Sequence, residues 1–148
     1  MNKNKFLYIA LSMIIIVVLA IWFLNMTSKS TTFKEMLEEQ IRQDEQLTIT
    51  NLDYDRIHQI SIEGPTGDEI EIDDKDVISD LLGNELHIDK GGKYKESKAE
   101  YDLYIHFYGS IHRYTIAEDY IKTFDGNYKV LDEDNEVFNY FTSLYGGK

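Results

Sequence analysis

The 148-residue chain carries 27 acidic and 15 basic side chains, and its net charge of −12 argues against a nucleic-acid ligand. It contains no cysteine, which excludes disulfides, thiolate chemistry, cysteine-based zinc sites and lipid attachment through cysteine. Because 43% of the residues are hydrophobic and 13% are aromatic, the composition predicts a folded domain rather than wholesale disorder.

Residues 6–24 form an apolar run without any charged side chain. As a helix that rises ~1.5 Å per residue, this run would span ~28 Å, close to the ~30 Å core of a bilayer. Lys3 and Lys5 precede it, so the positive-inside bias favours a cytoplasmic N-terminus and a domain outside the cell. A cleaved signal peptide is the alternative, but its apolar run is usually shorter and ends in small residues. We therefore predict a single-pass anchor in the cell membrane.

Four parts follow from this prediction: a cytoplasmic stub at residues 1–5, a transmembrane anchor at 6–25, a tether and amphipathic helix at 26–45, and an extracytoplasmic domain at 46–148. In the third part, Thr32 and Glu35 have the spacing of a capping box. Apolar residues then recur at helical spacing, at Phe33, Met36, Leu37 and Ile41. This helix either forms a stalk or packs on the domain, and the sequence leaves both open.

The domain shows strand and helix patterns in turn. Alternating apolar residues around a Gly-Pro-Thr-Gly turn predict a hairpin within residues 57–72, and Asp73 and Asp74 then begin a helix that Gly83 ends. A short strand at 86–88 precedes a polar loop at 89–98. Two hairpins follow, at 101–116 and 120–131, and then an acid-rich helix start and a last helix that ends at Gly146. The predicted fold class is α+β: an N-terminal transmembrane helix, then a small, mainly antiparallel sheet with helices packed on one face.

The hairpin at residues 101–116 has the strongest strand pattern. A turn at Gly109-Ser110 predicts that Ile105 pairs with Tyr114 and Leu103 with Ile116. His106 would then face Arg113, and His112 would lie opposite Phe107. The face away from the apolar residues would carry Tyr104, His106, Tyr108 and Arg113, joined by Tyr101 or Tyr128.

Two surfaces are candidates for binding. The first is a locally basic loop on an acidic domain, which suits an anionic cell-wall polymer or lipid headgroups, unless it is only a solvated connection; its residues are Lys90, Lys93, Tyr94, Lys95 and Lys98. The second is the exposed row on the central hairpin, whose residue types are common at protein interfaces; its residues are Tyr104, His106, Tyr108 and Arg113. Tyrosines also favour strands for structural reasons alone, and a second helix could cover this row.

No motif for chemistry stands out in the sequence. The four histidines are scattered, no HExxH, EF-hand, nucleophile-elbow or phosphate-loop pattern is present, and the acid runs at 73–76 and 132–136 fit helix starts. We therefore predict no catalytic residue, no metal ligand and no cofactor. Two alternatives stay open: a cell-envelope enzyme with a cleft where two carboxylates converge, and an acidic sensor that responds to divalent cations.

Three segments carry a resemblance to a known family: IHQISI at residues 57–62, IDDKDVI at 72–78 and YDLYI at 101–105. Over about residues 57–145 the chain resembles small uncharacterised extracytoplasmic proteins of Gram-positive bacteria that have a YhfM-like domain. The resemblance implies a similar fold and location but no catalytic residues, and such proteins are often tethered through a lipidated cysteine, which this chain lacks. The sequence as a whole predicts a non-catalytic binding module at the cell envelope, whose partner is an envelope protein or an anionic polymer.

Overall fold

The computed structural model describes residues 13–21, 30–45, 53–91, 97 and 99–146. Residues 13–21 form a helix, α1, whose side chains are exposed. Across these described ranges, no helix is both long and apolar enough to cross a membrane. The other positions of the predicted anchor at 6–25 lie outside the described residues.

The described strands form one antiparallel sheet. Its eight strands within the described residues are β1 (Thr31–Thr32), β2 (Ile57–Glu63), β3 (Glu69–Ile72), β4 (His87–Lys90), β5 (Glu100–Phe107), β6 (Ser110–Ala117), β7 (Tyr120–Thr123) and β8 (Gly126–Val130). They lie in the order β1-β4-β8-β7-β6-β5-β2-β3. The prediction of an α+β domain with an antiparallel sheet is confirmed, and only the two-residue strand β1 had no counterpart in the sequence pattern.

The described part of the domain contains three further helices, namely α2 (Phe33–Asp44), α3 (Lys75–Leu82) and α4 (Glu136–Tyr145). Their apolar side chains join a single hydrophobic core with the residues of one face of the sheet. The predicted capping box of Thr32 and Glu35 is present, and Asp74 caps α3 as predicted. At α4 the cap is Asn135, whose side chain accepts from the Phe138 amide.

Helix α2 packs on the sheet and is not a separate stalk. Phe33, Leu37 and Ile41 are fully buried, and the Phe33 amide donates to the Leu86 carbonyl at 2.8 Å. The Gln40 amide also reaches across the core to Asp125 at 2.8 Å. This helix therefore belongs to the folded domain.

The β5–β6 hairpin has a different register from the predicted one. The two turn residues are Tyr108 and Gly109, which take φ values of 43° and 95°, as the mirror-image turns of tight hairpins require. Ile105 therefore pairs with His112, and Arg113 pairs with Tyr104. The predicted pairs were wrong by two residues: Leu103 faces Tyr114, His106 faces Ile111, and Phe107 faces Ser110. The faces are unchanged, because side chains alternate with a period of two.

Two tyrosines predicted as candidates for the exposed row lie in the core. Tyr101 packs its ring against Phe138, Phe141 and Tyr145, and Tyr128 is also buried. Both point to the side of the sheet that the helices cover, because they share the pleat of the apolar positions on their strands. The second hairpin closes through a turn at residues 124–125, where Thr123 pairs with Gly126.

A candidate interaction surface on the open face of the sheet

All three helices of the domain cover the same face of the sheet, so in the described part of the chain no helix packs on the other face of β2, β5 and β6. We call His58, Tyr104, His106 and Arg113, which lie on this other face, the open-face patch. The sequence predicted three of these four residues as a group, and the structure brings them together. The sequence did not predict His58 for this surface, because its position depends on a register irregularity between Ile57 and Gln59.

Tyr104 and Arg113 form the centre of the open-face patch. They are directly opposite each other on β5 and β6, and the Arg113 guanidinium carbon lies 5.7 Å from the centroid of the Tyr104 ring. This is a cation–π distance. The Arg113 side chain is still 62% exposed, so a partner can reach both the guanidinium and the ring beside it.

Hydrogen bonds fix both members of this pair from the sides. The Arg113 Nη2 donates to the Asp102 carboxylate at 2.7 Å, and the Thr115 hydroxyl donates to the other oxygen of that carboxylate at 2.7 Å. The hydrogen bond to Asp102 raises the pKa of Arg113. On the other side, the Tyr104 hydroxyl donates to Glu63 at 3.0 Å, and burial together with this hydrogen bond raises the pKa of Tyr104. The pair is therefore held in one orientation before any partner binds.

His106 extends the open-face patch toward β2. Its Nε2 lies 3.2 Å from the Ser61 hydroxyl oxygen, and Ser61 is almost fully buried. The exposed ring of His58 meets the His106 ring edge-to-face, with centroids 5.9 Å apart. Two imidazoles, a phenol ring and a guanidinium thus lie together on this face, and hydrogen bonds hold several of them. Such a surface suits a protein partner, because Tyr and Arg contribute strongly at protein interfaces.

The other predicted site residues are not part of this surface. Tyr108 lies at the tip of the hairpin, and the Arg56 guanidinium lies 5.5 Å from its ring centroid. Lys90 is on the side of the sheet that α2 covers, where it donates to Asp125 at 3.0 Å, a hydrogen bond that raises the pKa of Lys90. The remaining predicted loop residues lie outside the described residues: Lys93, Tyr94, Lys95 and Lys98.

A buried histidine cluster was not predicted from the sequence. The ring nitrogens of His112 lie 3.3 Å from the Asp44 carboxylate and 3.0 Å from the Glu45 carboxylate, and the Ser110 hydroxyl donates to Glu45 as well. Serine, histidine and acid are the members of a hydrolase triad, and the Ser110 hydroxyl oxygen lies 3.4 Å from His112 Nε2. Both ring nitrogens of His112 face carboxylates, however, so the arrangement is not that of a triad, in which one nitrogen is left to accept the serine proton. The cluster ties the end of α2 to the hairpin. More than sixty residues separate its halves, so no local pattern could reveal it.

Three surface grooves lie elsewhere in the described part of the chain. One of about 390 Å³ runs between α3 and α4, one of about 400 Å³ lies beside Asp132, and one of about 420 Å³ lies beside Lys90 and Glu39. Near the second groove, the backbone amide of His87 lowers the pKa of Asp132, whereas a general acid needs a raised pKa. Among the described residues, no group of three or more His, Asp or Glu side chains could hold a metal ion.

Comparison with known proteins gives no relative: no family model, no curated protein and no solved structure matches the chain. The resemblance to proteins with a YhfM-like domain therefore stays a prediction.

Proposed function

We propose that this protein is a single-pass, membrane-anchored extracytoplasmic protein whose domain binds another envelope protein through the open-face patch. The observation that carries the proposal is the ordered Tyr104–Arg113 pair, which Asp102 and Glu63 hold on a sheet face that no described helix covers. The proposal assigns no catalytic step and no cofactor to the protein.

The anchor is supported by the apolar run at residues 6–24. Its described part, residues 13–21, is helical, and its large apolar side chains are 52–66% exposed. Nothing in the described domain buries these side chains, and an exposed apolar surface of this kind is typical of membrane or protein contact. Lys3 and Lys5 before the run favour a cytoplasmic N-terminus and therefore an outward domain.

The shape and chemistry of the open-face patch favour a protein partner over a small molecule. Small ligands usually bind in concave, largely apolar cavities, whereas none of the three grooves described above is lined by a residue of the open-face patch. Arg113 stacked on Tyr104 also offers polar and aromatic contacts that lose little conformational entropy on binding, because their partners already hold them.

Affinity capture from the cells that produce the protein tests the binding surface. The full-length chain is purified in mild detergent, and proteins that co-purify with it are compared with those of Tyr104→Ala and Arg113→Ala. We expect each variant to recover at least tenfold less partner, because truncating a central interface residue costs about 2 kcal/mol or more. Tyr140→Ala and Arg42→Ala are the matched controls, since both residues lie on helices away from the open-face patch.

Equal recovery from wild type, both open-face variants and both controls would contradict the proposed surface. Recovery lost in Tyr140→Ala but not in Tyr104→Ala would place the binding surface near α3 and α4 instead.

Protease treatment of intact cells tests the anchor and its orientation. We expect the acidic domain to be digested from outside while the protein stays in the membrane fraction after alkaline carbonate washing. Full-length protein in the soluble fraction, or a domain that resists protease until the cells are lysed, would contradict the proposed location.

A further inference from the structure

Two hairpin turns carry large exposed apolar side chains. Tyr108 is 72% exposed and Ile111 is 60% exposed at the β5–β6 hairpin, and Phe124 is 68% exposed in the β7–β8 turn. Tyr108 also holds a φ of 43°, a backbone region that Asn and Gly favour in this kind of turn. None of these three side chains belongs to the core, and Ile111 lies on the open face, directly opposite His106 at the end of the open-face patch.

The strand register places both turns on one diagonal edge of the sheet. Thr115 pairs with Lys122, so continuing the pairing by two residues brings Phe124 level with Arg113. Measured along the strand direction, the β7–β8 turn therefore ends about four residues, or ~13 Å, short of the β5–β6 turn. Further along the sheet, Lys90 at the end of β4 pairs with Tyr128.

The start of β1 continues the same diagonal edge. Thr31 pairs with Ile88, and the antiparallel pairing directs the chain before Thr31 toward the end of the sheet where β4 finishes. Each of these features thus lies further back along the strand direction than the one before it. Their order across the sheet is the β5–β6 turn, the β7–β8 turn, the end of β4 and the start of β1. The register therefore places them along one oblique line across the strands.

The apolar N-terminal run joins the domain at this diagonal edge. Only residues 22–29 separate α1 from Ser30, and a fully extended chain of this length spans at most about 29 Å. If residues 6–25 lie in a bilayer, the diagonal edge is the part of the domain that the chain holds nearest to the lipid.

We propose that the domain docks on the bilayer interface through its diagonal edge, with Tyr108, Ile111 and Phe124 inserted among the lipid headgroups. This docking rests on the proposed membrane anchor and adds an orientation to it. Tyrosine is favoured at the interface because its ring is amphipathic, and the apolar side chains of Ile111 and Phe124 gain by leaving water.

Site-specific fluorescence quenching tests the docking. Because the chain has no cysteine, Ile111→Cys and Phe124→Cys each give one labelling site in the full-length protein. The labelled proteins are reconstituted in vesicles of phosphatidylcholine and phosphatidylglycerol that contain a lipid with a nitroxide headgroup. Leu131→Cys and Glu118→Cys are the controls, because both residues are exposed and lie away from the diagonal edge. We expect several-fold stronger quenching at positions 111 and 124 than at 118 and 131.

Equal, weak quenching at all four positions would overturn the docking. Flotation of the same vesicles separates this result from a failure of the anchor. Protein that floats with the vesicles but shows equal quenching overturns the docking alone, whereas protein that stays at the bottom of the gradient overturns both.

Discussion

At the residue scale, the turn residue Tyr108 is in a backbone conformation that suits another side chain. Its φ of 43° lies in the left-handed region, where Asn and Gly are favoured over aromatic residues. We expect Tyr108→Asn to raise the free energy of unfolding by about 0.5–1 kcal/mol, because it relieves this strain. Urea denaturation of the full chain in detergent measures the change.

Tyr104→Asn is the matched control for this substitution, because Tyr104 lies within a strand and donates to Glu63. It should lower the stability. A Tyr108→Asn variant that is less stable than the wild type would show that ring contacts with Phe107 and Arg56 outweigh the backbone strain.

Tyr54 gives a second residue-scale prediction, because burial and the nearby Glu38 raise its pKa to about 12. Between the ordinary tyrosine pKa of about 10 and this value, the unfolded chain loses the Tyr54 proton while the folded chain keeps it. This contribution to stability is therefore complete below about pH 10 and is lost as the pH rises toward 12. Tyr54→Phe should show a shallower loss of stability over this range in denaturant titrations.

Glu38→Gln provides the intermediate case, because it removes the charge that adds to the effect of burial. The decrease in its free energy of unfolding from about pH 10 to pH 12 should lie between those of the wild type and Tyr54→Phe. Identical slopes for all three proteins would contradict the assigned pKa.

At the element scale, α2 is part of the core and stabilises the whole domain. Phe33 is fully buried against the sheet, so Phe33→Ala should lower the free energy of unfolding by about 3–5 kcal/mol. Lys34→Ala, at the next and more exposed position of the same helix, should cost less than about 0.5 kcal/mol. Thermal or denaturant unfolding measures both, and equal small effects would mean that α2 is a separate stalk.

Local signals in the sequence were sufficient to predict most elements. The Thr32–Glu35 capping box, the glycine after α3 and the alternation in β2 and β5 each determine a structure within a few residues. Strand β1 could not be predicted, because two residues have no period and only their pairing with β4 defines them. The hairpin register was missed by two residues because Tyr108 is not a usual turn residue.

The sequence could predict which face of the sheet carries the candidate site, but not the contacts within the site. Alternation along β5 and β6 separates Tyr104, His106 and Arg113 from the core, and this separation survives a register error of two residues. The Glu63 and Ser61 contacts depend on the pairing of β2 with β5, about forty residues away in sequence. Whether a helix would cover this face also depended on long-range packing.

At the scale of the whole molecule, the net charge of −12 should make stability depend on salt. Unscreened repulsion between carboxylates destabilises the compact state, and the screening length falls from about 10 Å at 0.1 M to about 3 Å at 1 M ionic strength. We expect the melting temperature to rise as NaCl is added. CaCl₂ at equal ionic strength should give the same rise, and a much larger rise with Ca²⁺ would favour a cation-responsive sensor instead.

Photo-crosslinking in intact cells shows whether the open face of the sheet binds a partner outside the membrane. A photoreactive amino acid replaces His106 in one variant and Tyr140, on the helix side, in another. We expect a crosslinked product of defined mass from position 106 that disappears when Arg113→Ala is added, and no such product from position 140. The same product from both positions, or from position 140 alone, would contradict this expectation.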